Sequence, residues 1–388
     1  RDSPKGTFIM TDTSKMGEKA DSPLAFSLPL LFCPLLVLGW IYGGVMLILV
    51  PIFGYVIISI IDLLIGENKK DQILNNKNMN NYKIILFAWP FIQFYLLFGS
   101  IVVICFFDHL SVLEAIILML VQGMISGAVG ITFAHELMHQ KTKFERFLSD
   151  LLMGMALYGH FRTEHVHVHH RFVGTEKDAV TARYNESFYT FFLRVIPECF
   201  KSAWKVETSR LLTKNKSIFN LSNPFYVYLS LALFFSLLSF LIGGFWAVFL
   251  FLIQALVAVL HLEVVNYIEH YGLSRQKIDD EKYEPTKPFH SWNANHAASN
   301  LLLINLQKHS DHHARPNKTY PLLSSYDQNS APQLPFGYPI MVVLSLIPAL
   351  WRKVMNPKVL EWREQFYPQI KAVSYTHLRA HETPEHLV

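Results

Sequence analysis

Nine histidines that could bind metal ions occur in four short clusters, each next to a long apolar run. Imidazole is the commonest protein ligand for metal ions, and nine imidazoles exceed what one ion can coordinate. The sequence therefore predicts a site for two ions. The candidate ligands are His135, His139, His165, His169, His170, His270, His309, His312 and His313.

The spacing within the clusters predicts helices. No helix-breaking residue separates the fourth apolar run from His135 and His139, so both histidines are expected on one face of its last turn. His165 and His169 have the same i, i+4 spacing, and His170 lies about 100° further round a regular helix. The last cluster repeats the pattern with three histidines at i, i+3 and i+4.

Other polar residues near the clusters are candidates for orienting the ligands, because a metal-bound imidazole needs a partner for its second ring nitrogen. For the two histidines of KPFHSWNANH, an orienting or structural role is favoured over ligation by about two to one. The carboxylates could instead be solvated charges at helix ends. The candidates are Glu136, Glu164, Glu269, Asp311, His290 and His296.

The elements that must position these residues are apolar. Of 388 residues 51% are hydrophobic, with 30 Phe, 17 Tyr and 7 Trp. Six apolar segments are each close to the ~20 residues that cross a bilayer. The sequence predicts an all-α membrane protein with about six transmembrane helices, or fewer if the first two segments form a re-entrant hairpin. The segments are 24–41, 43–65, 84–106, 112–134, 223–242 and 245–266.

Basic residues predict the orientation of these helices, because Lys and Arg are retained on the cytoplasmic side. Three loops are rich in Lys and Arg, whereas 107–111 and the Gly243–Gly244 pair contain neither. All histidine clusters then belong to a helical cap on the cytoplasmic face of a bacterial-type inner membrane. The same bias explains the net charge of +4, so no nucleic-acid partner is expected. Three scattered cysteines exclude a rubredoxin-like module, so electrons would come from a separate protein.

Both ends of the chain are expected to lie outside the fold. The sequence predicts a polar, partly non-native extension at 1–23, with Met10 or Met16 as a more plausible start, an integral-membrane domain at 24–362, and a tail at 363–388 that is non-native from 374.

Ligand type alone leaves zinc, copper, iron and nickel open. Zinc hydrolysis needs about three ligands and an open position. Nine histidines at the mouth of an apolar bundle fit better with two redox metals that activate dioxygen and face a lipid-like substrate.

Four segments in order resemble the integral-membrane alkane 1-monooxygenases of the membrane fatty-acid desaturase and hydroxylase superfamily. They are HELMH, EHVHVHH, NYIEHYGL and LQKHSDHHA, and the likeness extends through Asp178, KPFHSWNANH and the GYP at Gly337 to Pro339. Asp178 and Asn266, which lie in these segments, join the residues expected beside the ligands. Gln140, Val168 and Lys308 depart from the family pattern, and none of them removes a ligand.

The resemblance implies two iron ions held by the nine histidines. It also implies dioxygen as co-substrate, terminal hydroxylation of medium- or long-chain n-alkanes, and electrons from rubredoxin and its reductase. Gly54 and Trp89 are candidate residues of an apolar substrate channel, although the sequence favours an ordinary helix contact for both.

Two alternatives stay open. The nearest is a related membrane di-iron enzyme, such as a fatty-acid desaturase or a xylene-type methyl hydroxylase, although NYIEHYGL and LQKHSDHHA argue against a desaturase. A membrane metal transporter is the alternative of another class, because intramembrane histidines also mark ion pathways.

Overall fold

The computed structural model describes residues 21–69, 79–279 and 282–368. In these ranges the protein is all helical, and the β pairing consists of isolated bridges, so the predicted all-α class is confirmed. Most residues of the predicted polar extension and tail lie outside the described ranges. The helices are α1 Ala25–Tyr42, α2 Gly44–Ile65, α3 Met79–Phe106, α4 Val112–Met138, α5 Lys143–Met155, α6 at 161–172, α7 Phe188–Leu212, α8 Phe225–His270, α9 Ala297–Leu302, α10 His309–Ala314, α11 Tyr338–Ser345 and α12 Pro348–Phe366.

Five of these helices, α1 to α4 and α8, are long and apolar enough to cross a membrane. The protein is therefore an integral membrane protein. Their outward side chains include many large hydrophobic groups, among them Phe91 and Leu241, which are 64% and 72% exposed. Such exposure suits contact with lipid, where apolar surface needs no protein partner.

Helix α8 is much longer than a bilayer is thick. Its 46 residues would measure about 69 Å if straight, against a hydrocarbon core of about 30 Å. The helix bends at Gly243 and Gly244, where the backbone leaves the helical region and Gly244 has a φ of 62°. A left-handed φ favours glycine because other residues would place a Cβ against the backbone.

The two halves of α8 fold back on each other at this bend. The ring of Phe98 lies 5.9 Å from Phe235 in the first half and 6.2 Å from Phe251 in the second. In a straight helix those two residues would be about 24 Å apart. The fold-back occurs where the sequence predicts the end of a fifth and the start of a sixth span, while the count of six stays a prediction.

Small residues bring α4 and α8 into close contact. A Cβ at Gly123 would lie 2.6 Å from Cβ of Val257, and one at Gly127 would lie 2.5 Å from Cβ of His261. Close backbone approach at small residues is the usual way in which membrane helices pack. As a result α4 and α8 run side by side, and His135 and His270 lie at their C-terminal ends.

Short helices outside the spans carry the remaining histidines. The carboxylate of Asp62, near the end of α2, accepts hydrogen bonds from the amides of Ala298 and Ser299 at 2.8 and 3.0 Å. These are free N–H groups of the first turn of α9, so the contact satisfies donors that the helix itself leaves unpaired. It ties the segment before α10 to the membrane bundle.

Candidate metal centre

The structure brings all nine predicted histidines together, in two groups. Within each group the candidate ligand nitrogens lie within 4.8 Å of one another. The five-histidine group consists of His135, His139, His165, His170 and His312, and the four-histidine group consists of His169, His270, His309 and His313.

In the four-histidine group the ring nitrogens converge on a common point. Nε2 of His313 lies 2.9 Å from Nε2 of His309 and 3.3 Å from Nε2 of His169. Nε2 of His309 lies 3.1 Å from Nε2 of His270. Nitrogens bound side by side to one ion at about 2.1 Å would be separated by about 3 Å, so these distances fit shared coordination.

The five-histidine group has a similar arrangement. Nε2 of His170 lies 3.0 Å from Nε2 of His165 and 3.1 Å from Nε2 of His312. The ring of His135 is centred 4.5 Å from that of His165 and 4.4 Å from that of His312. Three helices meet here and supply the five ligands: His135 and His139 from the end of α4, His165 and His170 from α6, and His312 from α10.

The chemistry of these side chains fits metal binding better than hydrogen bonding among themselves. A neutral imidazole has a single N–H, so several converging nitrogens cannot all be paired with one another. Burial, with smaller contributions from neighbouring histidines, lowers the pKa of His165, His170 and His313 well below the ordinary value. The rings are therefore neutral and present lone pairs, which a cation at the centre of each group would satisfy.

A π-helical turn at His165–His169 decides which histidines share a group. Regular α-helical spacing predicts that His165 and His169 act together. Their rings are indeed 5.1 Å apart, yet His169 belongs to one group and His165 shares the other with His170. The π-turn explains the difference, because its i→i+5 repeat places residues five apart on the same side.

Two of the predicted orienting carboxylates lie beside ligands of the four-histidine group. Oδ2 of Asp178 is 3.0 Å from Nδ1 of His169, and Oε1 of Glu269 is 3.3 Å from Nδ1 of His309. Burial acts to raise the pKa of Asp178, but its contacts with His169 and the Thr181 hydroxyl outweigh burial and lower it. An ionised Asp178 can therefore fix the orientation of the His169 ring.

Three other predicted carboxylates do not contact a histidine nitrogen. Glu136 accepts hydrogen bonds from Gln140 and the Tyr320 amide, since it points away from His135 on the helix. Asp311 pairs with Arg315 and Lys318, one turn or two beyond it, and thereby braces the end of α10.

Glu164 is the third of these carboxylates. It is fully buried, and neither of its oxygens has a hydrogen-bond partner among the described residues. Burial, followed by the charges of Asp178 and Glu263, raises its pKa well above the ordinary value. A neutral carboxyl group is what these surroundings favour.

The side chains of the remaining orienting candidates also lie away from the ligand nitrogens, although the backbone of His290 lies beside the His270 ring. Nε2 of His290 contacts the hydroxyl of Tyr367 at 2.6 Å, directly after α12. His296 precedes α9, and the amide of Asn266 donates to Glu263 at 3.1 Å. Asn266 lines the apolar cavity described below, whereas Nδ1 of His296 is buried without a hydrogen-bond partner among the described residues.

The segment KPFHSWNANH positions α10 by another residue, Asn293. Its amide nitrogen donates to Oγ of Ser310 at 2.6 Å, and its oxygen accepts from the Ser310 amide at 2.9 Å. Nε1 of Trp292 donates to the Tyr271 carbonyl at 2.9 Å. The segment therefore links the start of α10 to the end of α8, next to His270.

An apolar cavity ends at the five-histidine group. His135 and His165 form part of its wall, and most other wall residues are apolar. Gly54 lines this cavity beside the ring of Phe32, while its role in a substrate channel stays a prediction. Trp89 does not line it: its Nε1 donates to Gln93 at 3.1 Å and its ring packs on Phe133, within the bundle.

On its other side the five-histidine group borders a polar crevice, which we call the basic crevice. His139 and His170 line it, and His170 is the one partly exposed member of the two groups. The crevice wall has more positive than negative side chains. The positive ones are Lys141, Arg146, Arg162 and Arg210, against the carboxylate of Glu207.

Some residues of the centre could be found only with the structure. The hydroxyl of Tyr338 donates to Glu269 at 2.8 Å, and the Thr181 hydroxyl donates to Asp178 at 2.6 Å. Tyr338 and Thr181 both lie in segments that carry the family resemblance, and this resemblance is the feature of the sequence that could have indicated them. The sequence held no comparable signal for a contact between Tyr55 and His261 across the cavity wall.

Comparison with known proteins agrees with this architecture. The profile of the family "Fatty acid desaturase" matches residues 111–345. The chain is 37% identical over 333 residues to alkane 1-monooxygenase 1 of Alcanivorax borkumensis, covering 84% of this chain and 80% of that protein. It is 35% identical over 331 residues to the alkane 1-monooxygenase of Ectopseudomonas oleovorans, with the same coverage.

A more distant relative is the hydroxylase component of the xylene/toluene monooxygenase of Pseudomonas putida. It is 29% identical over 245 residues, which cover 62% of this chain and 64% of that protein. The two alkane enzymes above therefore match over more of the chain and at higher identity than this relative. Together with the histidine groups, these matches show that the chain belongs to the alkane 1-monooxygenases, oxidoreductases of the fatty acid desaturase family.

Proposed function

We propose that this protein is a non-haem di-iron monooxygenase that hydroxylates the terminal methyl group of medium- and long-chain n-alkanes. The reaction breaks one C–H bond of the methyl group and forms a C–O bond with one oxygen atom of O2. The other oxygen atom leaves as water, with two electrons and two protons supplied. The product is a 1-alkanol.

The observation that carries this proposal is the junction between the apolar cavity and the five-histidine group. Residues from α2, α4, α8 and α11 form the cavity wall, and His135 and His165 lie at its end. An apolar wall binds a hydrocarbon by burial and excludes water from the reacting end. A chain that enters end-on presents its methyl group to the histidines first.

The five-histidine group would hold one iron ion, and the four-histidine group would hold a second. When bound, they supply the activation of dioxygen that no protein side chain can provide. The chain contributes the neutral imidazoles, and Asp178 and Glu269 orient rings of the four-histidine group. Such partners typically change metal affinity by about 10–100-fold.

Electrons would come from rubredoxin, itself reduced by a rubredoxin reductase. The basic crevice supports this proposal, because an acidic donor protein would be attracted to its excess of Lys and Arg. His170 is partly exposed there, so a docked donor would approach the five-histidine group most closely through that ring. The Lys- and Arg-rich loops support placing this face in the cytoplasm, with the protein in a bacterial-type inner membrane.

We also propose that residues 24–362 act as a single integral-membrane domain. The cavity draws on residues from Phe32 in α1 to Val342 in α11, so it needs most of this range. α12 continues to Phe366, and Trp362 donates a hydrogen bond to the Phe289 carbonyl at 2.6 Å.

Product analysis tests the proposed reaction. Purified protein, reconstituted with iron, rubredoxin and rubredoxin reductase, is offered n-alkanes from octane to hexadecane under O2. We expect 1-alkanols as the first products and one atom of ¹⁸O per alkanol from ¹⁸O2.

Other outcomes would contradict the proposal. Formation of an alkene from an acyl substrate without any 1-alkanol would indicate a desaturase. Oxidation of methyl groups on aromatic rings alone would indicate a xylene-type hydroxylase. Zinc flux into vesicles without oxidation would indicate a transporter.

A further inference from the structure

A hydrogen-bonded pair of polar side chains interrupts the apolar wall of the cavity. The hydroxyl of Tyr55 lies 2.6 Å from Nε2 of His261, and both residues line the cavity. Most other polar residues of the wall, including Asn266, Glu269 and Tyr338, lie near the histidine groups. The Tyr55–His261 pair joins α2 to α8 and lies away from the two histidine groups.

The position of the pair along the cavity follows from the helices that carry it. His261 precedes His270 by nine residues in α8, which is about 13 Å along a helix axis. Gly127, which faces His261, precedes His135 by eight residues in α4, or about 12 Å. An extended hydrocarbon chain covers this distance with about ten bonds, at about 1.25 Å per bond.

Local backbone geometry also singles out this level of the cavity. Gly54 and Tyr55 lie in a π-helical segment of α2, Ile52–Ile57, and Gly127 lies in another in α4, Ser126–Ile131. Such segments are rare, and they occur frequently at functional sites. Here two of them flank the same part of the cavity.

The hydrogen-bonding partners fix what the pair can offer to a ligand. Nδ1 of His261 lies 2.9 Å from the Val257 carbonyl, which can only accept, so Nδ1 carries the hydrogen. In a neutral imidazole Nε2 is then an acceptor, and the Tyr55 hydroxyl donates to it. The phenol oxygen keeps a free lone pair, whereas the pair has no spare donor. It can therefore receive a hydroxyl group but not a carbonyl group.

We propose that Tyr55 and His261 form a distal binding site for the hydroxyl group of a medium-chain 1-alkanol. The methyl group of the same molecule would lie at the five-histidine group, about ten bonds away. The enzyme would then convert 1-alkanols of ten to twelve carbons to α,ω-diols. This inference rests on the proposed function.

The chemistry of this second reaction balances in the same way as that of the first. One C–H bond of the far methyl group breaks and one C–O bond forms, while the existing hydroxyl group is unchanged. O2 is reduced with two electrons from the same donor protein and two protons, and water is the second product.

The arrangement accommodates both kinds of substrate. An n-alkane leaves no buried polar group unpaired, because Tyr55 and His261 satisfy each other. A 1-alkanol of the right length places its hydroxyl against the Tyr55 oxygen. A shorter or longer alkanol would bury its hydroxyl against apolar wall, which is unfavourable.

Kinetics with two substrate series test the proposal. The reconstituted holoenzyme is given 1-alkanols and n-alkanes of eight to sixteen carbons, and diols and alkanols are quantified. We expect the alkanol-to-alkane ratio of kcat/KM to be greatest at ten to twelve carbons. In a Tyr55→Phe variant this ratio should fall by about fivefold to tenfold at that length, the value of one hydrogen bond. Tyr95→Phe, on the exposed side of α3, is the matched control and should keep the ratio.

A second variant tests the assignment of donor and acceptor. In His261→Leu the Tyr55 hydroxyl loses its acceptor and becomes free to donate. The variant should then also accept chains of the same length with a terminal methyl ester, so the ester-to-alkanol ratio of kcat/KM should rise above that of the wild type. This variant also tests the proposal if Tyr55→Phe fails to fold.

The outcomes separate this proposal from the proposed function. Conversion of n-alkanes with no optimum in the alkanol series, or an optimum that survives in Tyr55→Phe, would overturn the distal site alone. If no n-alkane is converted, the proposed function fails. Equilibrium binding of 1-alkanols to protein in nanodiscs then decides on the distal site, since the length optimum and its loss in Tyr55→Phe should appear in the dissociation constants.

Discussion

The two histidine groups differ in what surrounds them. In the four-histidine group every ring is buried, and the carboxylates of Asp178 and Glu269 lie 3.0 and 3.3 Å from ligand rings. In the five-histidine group no carboxylate of the described chain lies within hydrogen-bonding distance of a ring. That group instead borders open space on two sides, the apolar cavity and the basic crevice.

This difference suggests a division of roles between the groups. Rings held by buried carboxylates are already oriented before a metal binds, so the four-histidine group is the more rigid. Rings that border a cavity and a crevice can be reached by a hydrocarbon from one side and a protein from the other. The five-histidine group is therefore the place where substrate and electrons are expected to meet.

The largest expected effect separates the two groups by metal content. His309 and His312 lie on the same short helix but belong to different groups. We expect His309→Ala and His312→Ala each to lower the iron content from about two ions to about one per chain. Activity should fall by more than about 100-fold in both, since loss of an orienting partner alone costs about 10–100-fold. Metal analysis and alkane turnover of purified variants are the measurements.

His167→Ala is the control for these variants, because His167 lies on α6 between the ligands but in neither group. It should retain both ions. If either ligand variant kept both ions, the assignment of that histidine would be wrong. Loss of both ions from each variant would show that the groups do not bind independently.

A smaller effect is expected at the carboxylate beside His169. Asp178→Asn keeps the shape of the side chain but removes its charge. We expect the metal of the four-histidine group to be held about 10–100-fold less tightly, while the other metal is unaffected. Competition with a chelator, followed by iron analysis, measures this difference.

Glu176→Gln provides the same chemical change on an exposed residue two positions away. It should leave both metal affinities as they are. If Asp178→Asn weakened the binding of both metals equally, the proposed distinction would be wrong, because only the four-histidine group has carboxylates beside its rings.

The membrane helices and the convergence of the histidines at their ends could be predicted from the sequence. The apolar runs are long enough to require helices in a membrane, and they bring His135 and His270 to helix ends. The i, i+4 spacing of His309 and His313 is short-range, so one turn of α10 suffices to pair them.

The division into groups of five and four could not be predicted in this way. It depends on the π-turn at His165–His169, which periodicity analysis treats as ordinary helix. The hydrogen-bond and ion-pair partners of the carboxylates could not be predicted from the sequence either. Asp311 lies between ligands in sequence but faces Arg315 and Lys318, whereas Asp178, eight residues after the nearest ligand, returns to contact His169.

The smallest expected effect concerns the crevice side of the five-histidine group. Lys141→Glu and Arg210→Glu reverse charges in the crevice wall without touching a ligand. We expect each to raise the KM for an acidic electron-donor protein by about threefold to tenfold at low ionic strength. Because salt screens exposed charges, the difference from wild type should shrink as the salt concentration rises. Steady-state kinetics at several salt concentrations give both quantities.

Lys353→Glu, an exposed reversal on α12 away from the crevice, is the matched control. It should change the KM for the donor much less, because a charge effect on docking depends on where the charge lies and not only on the total. If all three charge reversals raised the KM for the donor equally, the donor would be responding to the net charge of the protein. The basic crevice would then not be the docking site. If the crevice variants alone respond, electrons arrive beside His170. The five-histidine group then receives both reactants, while the four-histidine group stays enclosed behind it.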